Sequence, residues 1–255
     1  IFFIIFKIYI MSEFFTINLP DEYINIMNEI KIDKNMDPFS KFHDPWSSID
    51  ENTYNIIYES IKDVSNNNSE KLAKKCAKII DKILQLCITK LSQNMNINKY
   101  HKLIWLRYRT TTDVYDIPRW HCDGNYNINN QWDMMSKDEK QMNQKKIIVS
   151  LIGSGTLIAK CSNSHNKEVI AKIEELDRKY PRYVNNELNT KNAKLIQKKL
   201  SKSLDSCTLH QLDNFEGAIY NIGKVFNKEG NCCVHSEPKF DKPRLFLGLV
   251  LSEIQ

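Results

Sequence analysis

Residues 118 to 124 read Pro-Arg-Trp-His-Cys-Asp-Gly and lie just beyond a stretch with strand character. Residues two apart on an extended chain point to the same side. His121 and Asp123 therefore face one point in space, and Cys122 turns away from it. An imidazole and a carboxylate that converge in this way are half of a metal site, and a third ligand has to come from later in the chain. His235 is the candidate, because the residues after it supply a second requirement of the same chemistry. Arg244 opens the run Leu245-Phe246-Leu247-Gly248-Leu249-Val250-Leu251, and alternation puts it in one row with Phe246, Gly248 and Val250, with the leucines on the other face. Both faces are apolar, so the strand is sandwiched and Arg244 is buried. A buried guanidinium is costly without an anion, and a dicarboxylate held between a metal and Arg244 meets that need. His165 and His210 compete for the third ligand position, but neither precedes a strand that begins with a basic residue. The alternative for Arg244 is a structural ion pair with Asp113, Asp116 or Asp241.

These groups have to be carried by a β-scaffold. Leu103 to Arg109, Ile147 to Ile152, Ala218 to Ile222 and Arg244 to Leu251 are rich in branched and aromatic residues and bounded by Gly, Pro or Asn, which predicts strands. Ser12 to Tyr100 reads as mostly helical. Ser48 with Glu51 forms a capping box ahead of Ile56, Ile57, Ile61 and Val64. A second helix carries Leu72, Cys76, Ile79, Ile80, Ile83, Leu84, Cys87 and Leu91 on one stripe, with Lys71, Lys74, Lys75, Lys78 and Lys82 on a solvated face opposite. Two polar segments interrupt the β-half. Gly124 to Lys146 contains the capping box Ser136 with Glu139, and Cys161 to Asp213 has helical stretches at Val169 to Leu176 and Ala193 to Leu204. Both are expected to be insertions, of the kind that often cover a site.

The chain has 255 residues, 42% of them hydrophobic and 26% charged, enough for one large domain with a buried core and incompatible with a disordered tail. Ile1 to Ile10 form an apolar run ahead of Met11, too short to span a bilayer and without the flanks of a signal peptide. Residues 1–11 are set aside as a leader, leaving 12–255 as a single domain. The net charge of +5 is a mild excess, short of a nucleic-acid binder's usual footprint. Seven cysteines without a CxxC pair fit reduced thiols in a cytoplasmic setting.

The order His121, Asp123, His235, Arg244 resembles the HxD…H…R pattern of the iron(II)- and 2-oxoglutarate-dependent dioxygenases. Gly153-Ser-Gly-Thr-Leu157 is similar to the glycine turn after their first two ligands, and Gly217 to Tyr220 to the strand before the distal histidine. The resemblance covers about Leu103 to Leu251. It implies an α+β chain built on a double-stranded β-helix, or jelly roll, with residues 12–100 as a helical buttress and insertions near 124–146 and 161–213. It also implies Fe(II) on His121, Asp123 and His235, and 2-oxoglutarate on Arg244, with Tyr108 assisting from the strand ahead of the HxD. O2 would be the second co-substrate. The reaction implied is hydroxylation or oxidative demethylation of a protein side chain or small molecule. Nucleic acid is disfavoured, because Val250 stands where nucleic-acid-repairing members carry a further arginine. No membrane partner is expected. Two other classes compete: a jelly-roll binding module without turnover, and a Cys/His protein, either a zinc site built from Cys233, His235 and His121 or a nucleophilic hydrolase.

Overall fold

The computed structural model describes residues 3–8, 12–30, 39–43, 51–63, 69–96, 100–109, 119–124, 144–184, 187–223, 230–237 and 243–253. A seven-stranded antiparallel sheet is its largest element. It comprises β1 (Phe3–Ile8), β2 (Ser12–Asn18), β3 (Phe39–His43), β4 (Tyr100–Arg109), β5 (Gln144–Ile152), β10 (Glu216–Ile222) and β12 (Arg244–Glu253), in the order β1-β2-β10-β5-β12-β4-β3. The four strands expected from composition are its centre. The apolar run set aside as a leader supplies its edge: Phe3–Ile8 pairs with β2 from Phe3↔Asn18 to Ile8↔Glu13. Residues 12–100, expected to be mostly helical, also supply β2 and β3 to this sheet.

Alternation along β12 decides what each sheet face meets. Leu245, Leu247, Leu249 and Leu251 enter a core shared with α1 (Asp21–Asn28), α2 (Glu51–Asp63) and α3 (Glu70–Met95). α3 presents Cys76, Ile79, Ile80, Ile83, Leu84, Cys87 and Leu91 to that core, the stripe read from the sequence, and leaves Lys71, Lys74, Lys75, Lys78 and Lys82 exposed. Its first turn is capped by Ser69, whose hydroxyl accepts from the Leu72 amide at 3.2 Å. The capping serines Ser48 and Ser136 lie outside the described residues.

The other face of the large sheet, through Leu103, Ile148, Ala218, Tyr220 and Val250, meets a second antiparallel sheet. This small sheet is β6 (Leu157–Lys160), β9 (Thr208–Gln211) and β11 (Val234–Ser236), ordered β11-β6-β9. Ile158 and Cys233 fill the space between the sheets. Residues 119–123 add to its edge through a bridge between His121 and His235. From β4 onward the chain moves repeatedly between the two sheets: β4, then 119–123, then β5, β6, β9, β10, β11 and β12.

The segment Cys161 to Asp213 is an excursion between β6 and β9, but it ends before Thr208, because Thr208–Gln211 pairs back onto β6. The excursion contains α4 (Asn163–Lys179), the short strands β7 (Tyr183–Val184) and β8 (Glu187–Leu188), and α5 (Thr190–Leu204). It does not cover the space between the sheets. Val169, Ile170, Ile173, Leu176, Ile196, Leu200 and Leu204 pack on the outer face of the small sheet, against Trp120, Ala159, Cys232 and Val234. The other insertion falls mostly outside the described residues.

The expectation of reduced thiols fails at one pair. Cys161 and Cys207 form a disulfide, and Cys76, Cys87, Cys122, Cys232 and Cys233 are free. The bond follows directly on the last β6–β9 pair, Lys160↔Thr208, so it closes the neck of the excursion. Linear spacing carries no sign of it, because the two cysteines are 46 residues apart and meet only through that strand pairing. A closed loop of this length should contribute about 3–4 kcal/mol in the chain-entropy account. The Cys161→Ser/Cys207→Ser variant should therefore melt well below the wild type in non-reducing buffer, with the difference vanishing in reductant. Equal melting in both buffers would contradict this.

Candidate metal centre

Two strands meet edge to edge to build the site. The His121 amide donates to the His235 carbonyl at 2.9 Å, and the His235 amide returns the bond to the His121 carbonyl at 3.0 Å. In an antiparallel pair of this kind both side chains rise on the same face, and the rings lie 4.3 Å apart between centroids. Asp123, two residues on, shares that face. Trp120 and Cys122 point the other way and pack with the α4–α5 side of the sheet. The structure thus brings together His121, Asp123 and His235. Their ligand atoms lie within 4.8 Å of one another, and this is the one group of three or more His, Cys, Asp or Glu donors so placed among the described residues.

Local hydrogen bonds aim both rings. His121 Nδ1 lies 2.7 Å from the Arg119 carbonyl and His235 Nδ1 lies 3.1 Å from the Cys233 carbonyl. A carbonyl only accepts, so each Nδ1 carries the proton and each Nε2 is left with its lone pair. The Nε2 atoms face Asp123, His121 at 3.8 Å from Oδ1 and His235 at 3.4 Å from Oδ2. Tyr220 lies against the His235 ring, 5.2 Å between centroids.

Charge around the triad is arranged as two ion pairs. Lys146 Nζ lies 2.6 Å from Asp123 Oδ2, and Arg119 Nη2 lies 2.7 Å from Glu237 Oε1. Burial, with neighbouring His235 and Arg119, depresses His121 to about 3, and burial also lowers His235. Burial alone would raise Asp123, but Lys146, His235 and His121 bring it below the usual carboxylate range. Glu237 is held low by Arg119 and His121 against the same opposing effect of burial. The site at neutral pH is therefore two neutral imidazoles and one carboxylate, the donor set a divalent metal requires.

These shifts fix a pH dependence. The unfolded chain takes up protons on His121 and His235 near pH 6.5, and the folded chain does not until its depressed values are reached. Stability is thus undiminished above about pH 6.5 and is lost as pH falls below it, by about 1.4 kcal/mol per unit for each histidine. Asp123, depressed in the fold, adds a loss in the same direction below its ordinary value of 3.8. Urea midpoints of chelator-treated protein should fall from pH 7.5 to pH 5. A flat profile would mean that the rings are protonated in the fold.

Arg244 is 2% exposed. Its Nη2 donates to Thr156 Oγ1 at 3.2 Å, and its guanidinium stacks over Phe246 at 4.4 Å. Phe246 belongs to the layer between the sheets, as does Ile158, two residues after Thr156 and opposite His235 in register. Arg244, through Thr156 and Phe246, and the triad, through the His235↔Ile158 pair, thus reach the same layer. Gly153 makes the approach possible: at φ +81° it turns the chain after β5, and a Cβ there would meet the Pro243 carbonyl and Arg244.

Other candidates go elsewhere. The Tyr108 side chain lies outside the described residues. His165 is bonded to the Ser203 carbonyl and Ser206 near the disulfide, and His210 pairs with Glu216 at 2.8 Å. Asp113, Asp116 and Asp241 are outside the described residues. Burial pushes the thiols of Cys122 and Cys233 well up, so neither is a nucleophile at neutral pH. Sequence reasoning does not single out Lys146 or Thr156: Thr156 sits within the glycine turn, and Lys146 reads as the end of the polar segment 124–146, whereas the structure places it inside β5.

No family model matches the chain, and no curated protein does. Among solved structures it is similar to a viral collagen prolyl hydroxylase from Paramecium Bursaria Chlorella virus-1, at 9% identity and a TM-score of 0.35 over 85% of this chain and 90% of that one. It is also similar to a Pseudomonas putida prolyl-4-hydroxylase, at 10% identity and a TM-score of 0.33 over 92% of this chain and 84% of that one.

Proposed function

We propose that the chain is an iron(II)- and 2-oxoglutarate-dependent oxygenase built on a double-stranded β-helix. The observation that carries this reading is the placement of three metal donors, His121, Asp123 and His235, and a buried Arg244 in one layer between two sheets. The alternation of the chain between the sheets from β4 to β12, with the donors on neighbouring strands of the small sheet, supports the fold assignment.

The residues present fit the metal. Two Nε2 lone pairs and one carboxylate converge, each imidazole fixed by its Nδ1 bond. His121, Asp123 and His235 would hold Fe(II), which when bound supplies oxidative decarboxylation of 2-oxoglutarate by O2, coupled to oxidation of a substrate carbon. Arg244 would take the distal carboxylate, its guanidinium oriented by Thr156 and Phe246. Ile148, Ile158, Val250 and Phe246 pack as an apolar cluster in the same layer. The substrate in this reading is a protein side chain or a small molecule. Among the described residues no helix is long and apolar enough to cross a membrane.

The test is anaerobic addition of Fe(II) and 2-oxoglutarate, monitored by visible absorption of the chelate and then by succinate release in air. Folded protein that gives no band would refute the proposal. One observation favours a second reading, a binding module of the same fold without turnover: Lys146 is already bonded to the carboxylate a metal would use. Such a module gives no succinate.

A further inference from the structure

The contact between Lys146 and Asp123 lies inside the site, and it divides the two oxygens of the carboxylate. Lys146 enters from the start of the β5 ladder, between Tyr220 and Val250 in register. Its side chain is 8% exposed and that of Asp123 is 4% exposed. Nζ lies 2.6 Å from Oδ2, which also faces His235 Nε2 at 3.4 Å, and Oδ1 faces His121 Nε2 at 3.8 Å.

We propose that Lys146 is a positioning residue of the metal centre: it holds Oδ2, so that Asp123 offers a metal Oδ1 alone, and its charge limits how tightly the site holds a divalent cation. This role rests on the metal-centre reading of the triad. The counting favours it. A carboxylate that offers one oxygen in place of two would leave more of a bound metal open to a chelating acid and O2. Charge acts alongside geometry. The donor set carries one negative charge, and Lys146 offsets it from within a buried layer, where screening is weak.

The experiment is a Co(II) titration of the full chain, monitored by visible absorption, with far-UV circular dichroism to confirm folding. Lys146→Met removes the charge and frees Oδ2; Lys146→Gln removes the charge and keeps an N–H donor for Oδ2. Both variants should bind Co(II) about tenfold or more tightly than wild type. The bands should change in Lys146→Met and stay close to wild type in Lys146→Gln, a difference that a merely structural lysine would not produce. Unchanged or weaker binding in both variants, with wild type binding, overturns the proposal and leaves the metal centre standing. Binding by the variants but not by wild type supports the charge role, with the lysine strong enough to exclude the ion. Failure of all three folded proteins to bind overturns the metal centre, and this proposal with it.

Discussion

Asp123→Asn should bind Co(II) or Mn(II) at least a hundredfold more weakly than the wild-type chain. The substitution keeps shape and removes the one anionic donor among His121, Asp123 and His235. It also changes the charge the ion meets. With Asp123 ionised, Lys146 and the carboxylate offset each other; with an amide, the carboxylate's charge is gone while the ammonium stays in the same buried layer. Metal titration monitored by absorption or calorimetry checks the loss, and wild-type affinity in the variant would mean that the ligands lie elsewhere. Stability should fall as well, because a buried ammonium stripped of its anion costs about 3–5 kcal/mol. Adding Lys146→Met should restore the melting temperature without restoring metal binding to the wild-type level. That split separates the carboxylate's role as donor from its role as the partner of Lys146.

Arg244→Met is the second large effect, and it should be confined to the co-substrate. The guanidinium is buried, bonded to Thr156 and stacked on Phe246. Losing one member of a buried, hydrogen-bonded charge pair typically costs about 2–5 kcal/mol, so 2-oxoglutarate should bind metal-loaded protein from about 30-fold to a few thousandfold more weakly. Metal affinity should stay within about twofold, since the Arg244 guanidinium bonds to Thr156, which is not one of the donors. Arg244→Lys keeps the charge and loses the planar fork, and it should fall in between. Unchanged 2-oxoglutarate affinity in Arg244→Met would remove Arg244 from the site and turn the buried guanidinium into a purely structural group.

Much of this site is legible in the residues. The period of two on extended chain puts His121 and Asp123 on one face and Cys122 on the other, and puts Arg244 in the row of Phe246 and Val250; both rows stand in the structure as alternation requires. α3 is equally legible, because an apolar stripe repeated over more than twenty residues has no competing interpretation. The short strands are not. β6, β9 and β11 are three or four residues long, too short for alternation to register, and β9 reads as part of an insertion. The role of the excursion is hidden for a different reason: its helices are amphipathic, but only their packing on Trp120, Ala159 and Val234 shows that they support the ligand strands from behind rather than cover the site.

The sequence by itself determined the donor types, their order along the chain and the faces they take, because these follow from side-chain chemistry and from the two-residue period of an extended backbone. Only the tertiary structure decided which strands are neighbours. Register between distant segments is set by the packing of whole sheets, and it is register that sets His121 against His235 across one backbone pair, brings Lys146 to Asp123, lays Thr156 beside Arg244 and joins Cys161 to Cys207.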